Sequence, residues 1–169
     1  MKKKSVVVIT IFSILIIGAI VAYIALSNFL TKSYYQQTFL MEDESMEPAI
    51  AKGDKLKSDR QYENLQRGDI VVVNSLIDNQ PIVRRVIGLP HENVEFSSDK
   101  MTIRNSASPS GFVLAEPYIQ GTPARTRFSW TLKENEYLVL ADNRSESNDS
   151  SKFGPINSSR ILAKIVNLE

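Results

Sequence analysis

The chain of 169 residues has no cysteine and only one histidine, His91. Without cysteine there can be no disulfide, thiolate metal site or cysteine nucleophile, and one histidine cannot form a histidine-rich metal cluster. We therefore expect no metal and no organic cofactor. The 20 lysines and arginines nearly balance the 19 aspartates and glutamates, without the basic stripe that is typical of nucleic-acid binding. We expect no nucleic-acid partner.

The N-terminal part of the chain is a long apolar stretch. Residues 5–31 contain no charged side chain, and about 20 apolar residues are enough to cross a bilayer as a helix. Lysines at positions 2–4 come directly before the stretch, and basic residues favour the cytoplasmic side. The sequence predicts a cytoplasmic tip and transmembrane anchor at residues 1–31 and an extracytoplasmic domain at residues 32–169, in a single-pass protein of the plasma membrane.

A cleaved signal peptide is the alternative interpretation of the same stretch. Ala25 and Ser27 are small residues at the spacing that signal-peptide cleavage favours. The apolar stretch is, however, much longer than the usual signal-peptide core of about 7–15 residues. We therefore favour a retained anchor.

The rest of the chain has the pattern of short strands between turn residues. After a polar link at residues 32–37, apolar and β-branched runs occur at 69–74, 82–89, 101–104, 137–140 and 161–166. Residues 78–81 predict a hairpin connection with Pro81 at a strand edge, and residues 106–111 predict an exposed loop. The predicted fold is mainly β, with one N-terminal transmembrane helix followed by a compact β-sandwich or barrel-like body.

Three motifs follow one another along the predicted body. They are Glu44-Ser45-Met46-Glu47-Pro48, then Val83-Arg84-Arg85-Val86, then Ala141-Asp142-Asn143-Arg144 with Ser147, Asp149 and Gly154 after it. A serine beside a proline is by itself an ordinary turn residue. As an ordered series, the motifs resemble those of the bacterial type I signal peptidases of Gram-positive type. That family has a Ser-Met-x-Pro loop, a Lys-Arg-Val strand and a Gly-Asp-Asn-Arg stretch.

The resemblance implies a mostly β serine peptidase that acts on exported preproteins and accepts small side chains before the scissile bond. In that family the loop serine, which falls at Ser45, attacks the peptide carbonyl. A neutral lysine of the strand motif removes the serine proton, because burial lowers the pKa of a lysine enough for it to act as a base. The late serine, at Ser147, helps to orient that amine. The aspartate after it, at Asp149, is implied to pair with Arg85.

The chain departs from the family at the position of the base, where Arg84 replaces the lysine. A guanidinium has a pKa far above neutral pH and keeps its proton, so Arg84 cannot act as the general base. Asp43, two residues before Ser45, would place a carboxylate where hydrogen-bond donors should stabilise an oxyanion. We expect Asp43 and Arg84 to pair across the cleft. Ala141 and Ser151 also replace the Gly and Arg of the late motif.

Other side chains are weaker candidates for a role in the site. His91 is predicted to lie in a surface turn after Gly88-Leu89-Pro90, and Lys52, Lys55 and Lys57 are predicted to be solvated surface charges. Phe128 and Trp130 have the spacing of a strand. They are predicted to pack in the core, with contact to membrane lipid as the alternative.

Two functions stay open at this point. The favoured one is a catalytically impaired signal-peptidase-like protein that binds an exported partner without cutting it, as the family includes such members in pilus assembly. Its partners would be exported preproteins or pilin-like surface proteins. The alternative is an active serine endopeptidase that removes signal peptides. Retention of Ser45, Met46, Pro48, Ser147 and Asp149 favours this alternative.

Overall fold

The structure, a computed structural model, describes residues 2–122, 127–145 and 148–168. It divides into two compact units, residues 1–37 and residues 38–169. The first unit holds the apolar N-terminal stretch, and the second holds all three motifs.

The first unit is dominated by one long helix, α1, at Lys2–Tyr35. Its segment Ile11–Tyr35 has 25 residues and a mean hydropathy of 2.2. By length and composition it is a candidate membrane span. The prediction of a polar link at residues 32–37 is wrong for residues 32–35, which belong to α1. The helix continues to Tyr35 because no glycine or proline interrupts it there.

The chain beyond α1 is built mainly from strands. In chain order they are β1 (Gln36–Leu40), β2 (Lys55–Asp59), β3 (Ile70–Asn74), β4 (Pro81–Gly88), β5 (Asn93–Ser97), β6 (Lys100–Asn105), β7 (Ser108–Val113), β8 (Arg127–Thr131), β9 (Glu136–Leu140), β10 (Ile156–Asn157) and β11 (Ile161–Leu168). A seven-stranded sheet has the order β1-β2-β11-β3-β4-β9-β10, and a four-stranded sheet has the order β7-β6-β5-β8. A short helix, α2 (Ser150–Phe153), follows β9. The mainly β fold is therefore confirmed.

The apolar runs predicted as strands lie in β3, β4, β6, β9 and β11, so these five predictions are confirmed. The connection between β3 and β4 is also a hairpin, in which the Ser75 N–H donates to the Gln80 carbonyl over 3.0 Å. The loop predicted at 106–111 is wrong, because most of it belongs to the edge strand β7, which pairs with β6. Pro109 is tolerated on an edge strand, and Gly111 has a φ of +81°. Such a strand lacks the apolar alternation that sequence prediction needs.

Strand β3 is buried on both faces, which explains its continuous apolar sequence. Val71 and Val73 belong to one core cluster, whereas Val72 faces a second one with Met46 and Ile50. All three valines are 0% exposed. The second cluster therefore packs the segment that contains the Ser45 motif directly against the larger sheet.

The smaller sheet contributes to a third cluster, which also includes buried residues of β4 and β9. Phe128 packs against this cluster, and its ring stacks on Phe96 with the centroids 5.6 Å apart. Core packing is thus confirmed for Phe128. Trp130 is 36% exposed, and its contact with lipid stays a prediction.

A buried carboxylate, Glu92, joins the turn after β4 to neighbouring elements. Its oxygens accept hydrogen bonds from Arg67 Nη2 at 2.6 and 2.9 Å, from the Leu89 N–H at 2.9 Å and from Asn105 Nδ2 at 3.0 Å. Burial alone would raise the pKa of Glu92. The hydrogen bonds and the charge of Arg67 together outweigh burial and lower that pKa.

This lowered pKa predicts a loss of stability in acid. The carboxylate contributes its full stabilisation above the pKa of an unfolded glutamate, 4.5, and loses it as the pH falls through the lower folded value. We expect Glu92→Gln to lower the free energy of unfolding at pH 7, with a difference from wild type that shrinks toward pH 3. Thermal unfolding followed by circular dichroism across this range measures it. The exposed Glu134→Gln is the control, and a difference for Glu92→Gln that is constant with pH would contradict the prediction.

Candidate functional site

Ser45 lies in a turn-rich segment between β1 and β2, and it is 0% exposed. The next residue, Met46, and Ile50 are buried against Val72 of β3. The Ile50 N–H donates to the Met46 carbonyl over 2.9 Å, which closes one turn of the segment. Burial of apolar side chains therefore holds the serine in place, because Met46 and Ile50 of the same segment pack on the sheet.

Arg84 projects from β4 at the position that pairs with Val71 of β3. Its Nη1 donates to Ser45 Oγ over 2.8 Å, and its Nε donates to the main-chain oxygen of Asn148 over 2.9 Å. The side chain is 1% exposed. The structure thus places a buried guanidinium in direct contact with the serine hydroxyl, at the position where the resembled family has its lysine.

Asp43 contacts the same serine from the other side. Its Oδ1 accepts a hydrogen bond from Ser45 Oγ at 2.5 Å and another from the Ser45 N–H at 3.0 Å. The serine hydroxyl therefore connects the carboxylate of Asp43 to the guanidinium of Arg84. A direct ion pair between Asp43 and Arg84, which the sequence predicts, stays a prediction.

This arrangement has consequences for acyl-transfer chemistry at Ser45. The backbone N–H of a nucleophilic serine is a usual donor to the oxyanion of the tetrahedral intermediate. Here that N–H donates to the Asp43 carboxylate, so a negative charge already lies where a second one would have to form. The hydroxyl accepts from Arg84, a group that offers donors only. The hydroxyl and N–H of Ser45 are thus hydrogen-bonded to two side chains of opposite charge type, Asp43 and Arg84.

The late motif closes around this segment. Asp149 accepts hydrogen bonds from the Ala141 N–H at 3.0 Å and from the Ser151 N–H and Oγ at 2.8 and 2.6 Å. It is the N-cap of α2. The Asn143 N–H donates to the Ser45 carbonyl over 2.9 Å. Asp149 thus shapes the loop that contacts the serine segment, whereas Ser147, the predicted orienting residue, lies outside the described residues.

The pairing of Asp149 with Arg85 that the resemblance implies is wrong. Arg85 donates through Nε and Nη2 to the two carboxylate oxygens of Asp142, at 2.8 and 2.5 Å, and through Nη1 to the Gly68 carbonyl at 2.9 Å. The register explains the partner, because Arg85 lies opposite Leu140 of β9 and Asp142 follows two residues later. Asp149 is occupied as a helix cap.

Tyr118 and Glu116 extend this ion pair, and sequence reasoning missed both. The Arg85 guanidinium lies 4.2 Å from the centroid of the Tyr118 ring, whose hydroxyl donates to Glu116 at 3.2 Å. Glu116 in turn forms an ion pair with Arg144. Burial, followed by the charge of Glu116, raises the pKa of Tyr118. Burial opposes the charge on Arg85, but its hydrogen bond and attraction to Asp142 outweigh burial and raise the pKa of Arg85.

His91 and the three lysines differ in exposure from the fully buried serine. His91 lies in an exposed turn after β4 with a φ of 66°, as predicted for a surface turn. Lys52 and Lys55 are exposed, and Lys57 is half-buried in β2. Among the described residues, no group of three or more histidine or carboxylate side chains has the arrangement of a metal site.

A groove of about 510 Å³ lies beside the serine segment. Its apolar lining is formed by Phe39, Leu40, Met41, Val72, Pro81, Ile82 and Val83. Its polar lining is formed by Thr38, Glu42, Asp43, Asp78, Gln80 and Asn148. The groove therefore reaches Asp43, whose carboxylate contacts Ser45.

Comparison with known sequences assigns most of this chain to one family model. A model described as "Signal peptidase, peptidase S26" matches residues 8–168. Signal peptidase IB of Staphylococcus aureus (strain Mu50 / ATCC 700699) is 28% identical over 165 residues, covering 89% of this chain and 85% of that protein. Signal peptidase I U of Bacillus subtilis (strain 168) is 26% identical over 161 residues, covering 88% of this chain and 79% of that protein.

The fold has a counterpart among solved structures. The crystal structure of a signal peptidase I from Enterococcus faecalis V583 superposes with a TM-score of 0.52 at 27% sequence identity. The match covers 63% of this chain and 100% of that one. The similarity in sequence therefore extends to the three-dimensional structure.

Proposed function

We propose a function for this chain from one premise: it belongs to the signal peptidase family, peptidase S26. Within that family, we propose that it is a catalytically impaired member that holds an exported protein in its groove without cutting it. Pilus assembly is a process in which such a protein would act. The observation that carries the proposal is the contact of Ser45 Oγ with the Arg84 guanidinium at 2.8 Å.

The first reason is that, in the described part of the chain, the side chains hydrogen-bonded to Ser45 Oγ offer no equivalent of the lysine base. Arginine keeps its proton far above neutral pH, and at about 1.4 kcal/mol per pKa unit its neutralisation at pH 7 costs on the order of 8 kcal/mol. A base that is never neutral cannot remove the serine proton. Among the described residues, Ser45 Oγ contacts the side chains of Arg84 and Asp43, and neither supplies a neutral amine or imidazole.

The second reason is the location of Asp43. Preorganised donors that stabilise the oxyanion account for a large share of catalysis in acyl transfer. In this chain the Ser45 N–H and hydroxyl both donate to the Asp43 carboxylate. An oxyanion would have to displace a negatively charged acceptor from its donors, which raises the barrier instead of lowering it.

The location of the partner follows from the N-terminal unit. The candidate span at Ile11–Tyr35 supports an anchor in the plasma membrane, and the lysines before the apolar stretch favour a cytoplasmic N-terminus. The groove would then face exported proteins. Exported preproteins and pilin-like surface proteins are the partners that we propose for it.

An active serine endopeptidase is the second candidate function. The observation in its favour is the hydrogen bond of 2.5 Å that Ser45 Oγ donates to Asp43, since a carboxylate can accept a proton. A carboxylate is, however, a much weaker base than a neutral amine, and Ser45 Oγ also accepts a hydrogen bond from the Arg84 guanidinium. Asp43 is therefore a weak base, and we rank this function second.

Cleavage of a synthetic preprotein peptide separates the two functions. The peptide carries alanine at the first and third positions before the scissile bond, and it is incubated with the full-length protein in detergent micelles. We expect products at the same background level for wild type and Ser45→Ala, as measured by mass spectrometry. Cleavage by wild type that disappears in Ser45→Ala would reject the binding-only function and establish the peptidase.

A further inference from the structure

The walls of the groove present a strand edge that can receive an extended peptide. Residues 81–84 of β4 pair with β3 on one side, from Asn74↔Pro81 to Val71↔Arg84. On the other side, the ladder between β4 and β9 begins only at Arg85. Pro81, Ile82 and Val83 precede the part of β4 that pairs with β9, and they line the groove. Extended peptides bind at such edges by adding a strand.

The charges around this edge have one sign. Glu42, Asp43 and Asp78 line the groove, and its described lining includes no lysine or arginine. Glu44 lies next in the chain and is exposed. The cation behind the groove, Arg84, is 1% exposed and donates to Ser45 and to the chain at Asn148. The exposed part of the groove is therefore acidic.

A peptide in this groove would cover the carboxylates and remove part of their water. Loss of hydration costs free energy for a charged group unless a group of opposite charge or a hydrogen bond compensates. A segment with only small apolar side chains supplies no such compensation. A segment with a lysine or arginine supplies it directly, and charge complementarity also excludes acidic segments.

We propose that the groove takes an extended segment of the exported partner that carries a lysine or arginine side chain between Glu42 and Asp78. This inference rests on the proposed function, because it specifies the partner of the same groove. The apolar surface and the strand edge bind the backbone and the neighbouring small residues, and the carboxylates select the basic side chain.

Binding of matched peptides to the full-length protein in neutral detergent tests the proposal. The probes are the labelled peptide Thr-Val-Ala-Thr-Lys-Ala-Thr-Val-Ala-Thr and its versions with glutamine or glutamate in place of lysine. We expect fluorescence anisotropy to show about fivefold tighter binding of the lysine peptide than of the glutamine peptide, with the glutamate peptide weakest. The preference should shrink with added salt because salt screens exposed charges.

Two double variants with the same change in net charge locate the preference. Glu42→Gln with Asp78→Asn should bring the lysine and glutamine peptides to similar affinity, because the charges that select the lysine are removed. In the wild type, Asp78 Oδ1 accepts a hydrogen bond from the Gln80 N–H at 3.2 Å. The Asp78→Asn side chain keeps an oxygen that can accept the same hydrogen bond. Asp99→Asn with Glu134→Gln changes acidic residues outside the groove lining and should keep the preference.

Each alternative outcome has a distinct meaning. Equal affinity of wild type for the lysine and glutamine peptides would overturn the inference and leave a groove that binds peptides without charge selection. A preference that survives in Glu42→Gln with Asp78→Asn would also overturn it, because the selection would then arise elsewhere. No binding of any of the three peptides would overturn both the inference and the proposed binding function.

Discussion

The full-length protein carrying both Arg84→Lys and Asp43→Gly is expected to cleave a synthetic preprotein peptide about 1,000-fold faster than wild type. Arg84 is 1% exposed, and its Nη1 lies 2.8 Å from Ser45 Oγ. A lysine there would be desolvated, which lowers its pKa and allows it to act as a base. General acid–base catalysis contributes about 10²–10⁴-fold.

Both substitutions are needed for this result. In Arg84→Lys alone, the carboxylate of Asp43 would favour the charged form of the lysine and hold its pKa up. In Asp43→Gly alone, the Ser45 N–H is released for an oxyanion, but the guanidinium still cannot accept a proton. We therefore expect each single variant to cleave at a rate close to background, with a strongly non-additive gain in the double variant.

The control for this experiment removes the nucleophile. Ser45→Ala in the double-variant background should abolish the cleavage, as followed by mass spectrometry of the products. A double variant that unfolds like wild type and binds the peptide, yet releases no product, would contradict the expectation. It would mean that the groove holds the peptide bond away from Ser45.

Arg85→Met is expected to lower the free energy of unfolding by about 3–5 kcal/mol. The Asp142 side chain is 0% exposed, and both of its carboxylate oxygens accept hydrogen bonds from Arg85. Removal of one partner from a buried ion pair leaves an uncompensated charge, and such losses cost about 3–5 kcal/mol. Chemical unfolding of the full-length protein in detergent, followed by tryptophan fluorescence, measures the difference.

An exposed ion pair in the same protein supplies the matched control. In the pair of Lys133 with Glu136, the lysine side chain is 84% exposed and the Nζ to Oε1 distance is 3.5 Å. We expect Lys133→Met to cost less than about 1 kcal/mol, because exposed pairs contribute little. Adding Asp142→Asn to Arg85→Met should recover part of the stability. Equal effects of Arg85→Met and Lys133→Met would contradict the role of burial.

The strands that could be predicted from sequence are those with a continuous or alternating apolar pattern. Val71, Val72 and Val73 are buried on two faces, and such a run is visible in the sequence. Strand β7 could not be predicted from the sequence, because Ser108, Pro109 and Ser110 lie at a sheet edge. There the strand is defined by hydrogen bonding to β6 and not by burial.

The site was predictable where the ordered motifs specify it and not where register decides. The motifs led to Ser45, Arg84 and Asp43, which the structure brings into contact. They contain two aspartates, Asp142 and Asp149, and their order alone does not show which one meets Arg85. The pairing of β4 with β9 places Asp142 next to Arg85. That pairing depends on contacts between residues distant in sequence.

The burial of Met46 and Ile50 beneath the serine segment separates two properties that an enzyme usually needs together. The shape of this segment depends on hydrophobic contacts with the sheet, whereas reactivity would depend on the side chains at positions 43 and 84. Substitutions at those two positions can therefore abolish hydrolysis while recognition of a ligand persists. In this way a peptidase can evolve into a protein that binds its former substrates without a change of fold.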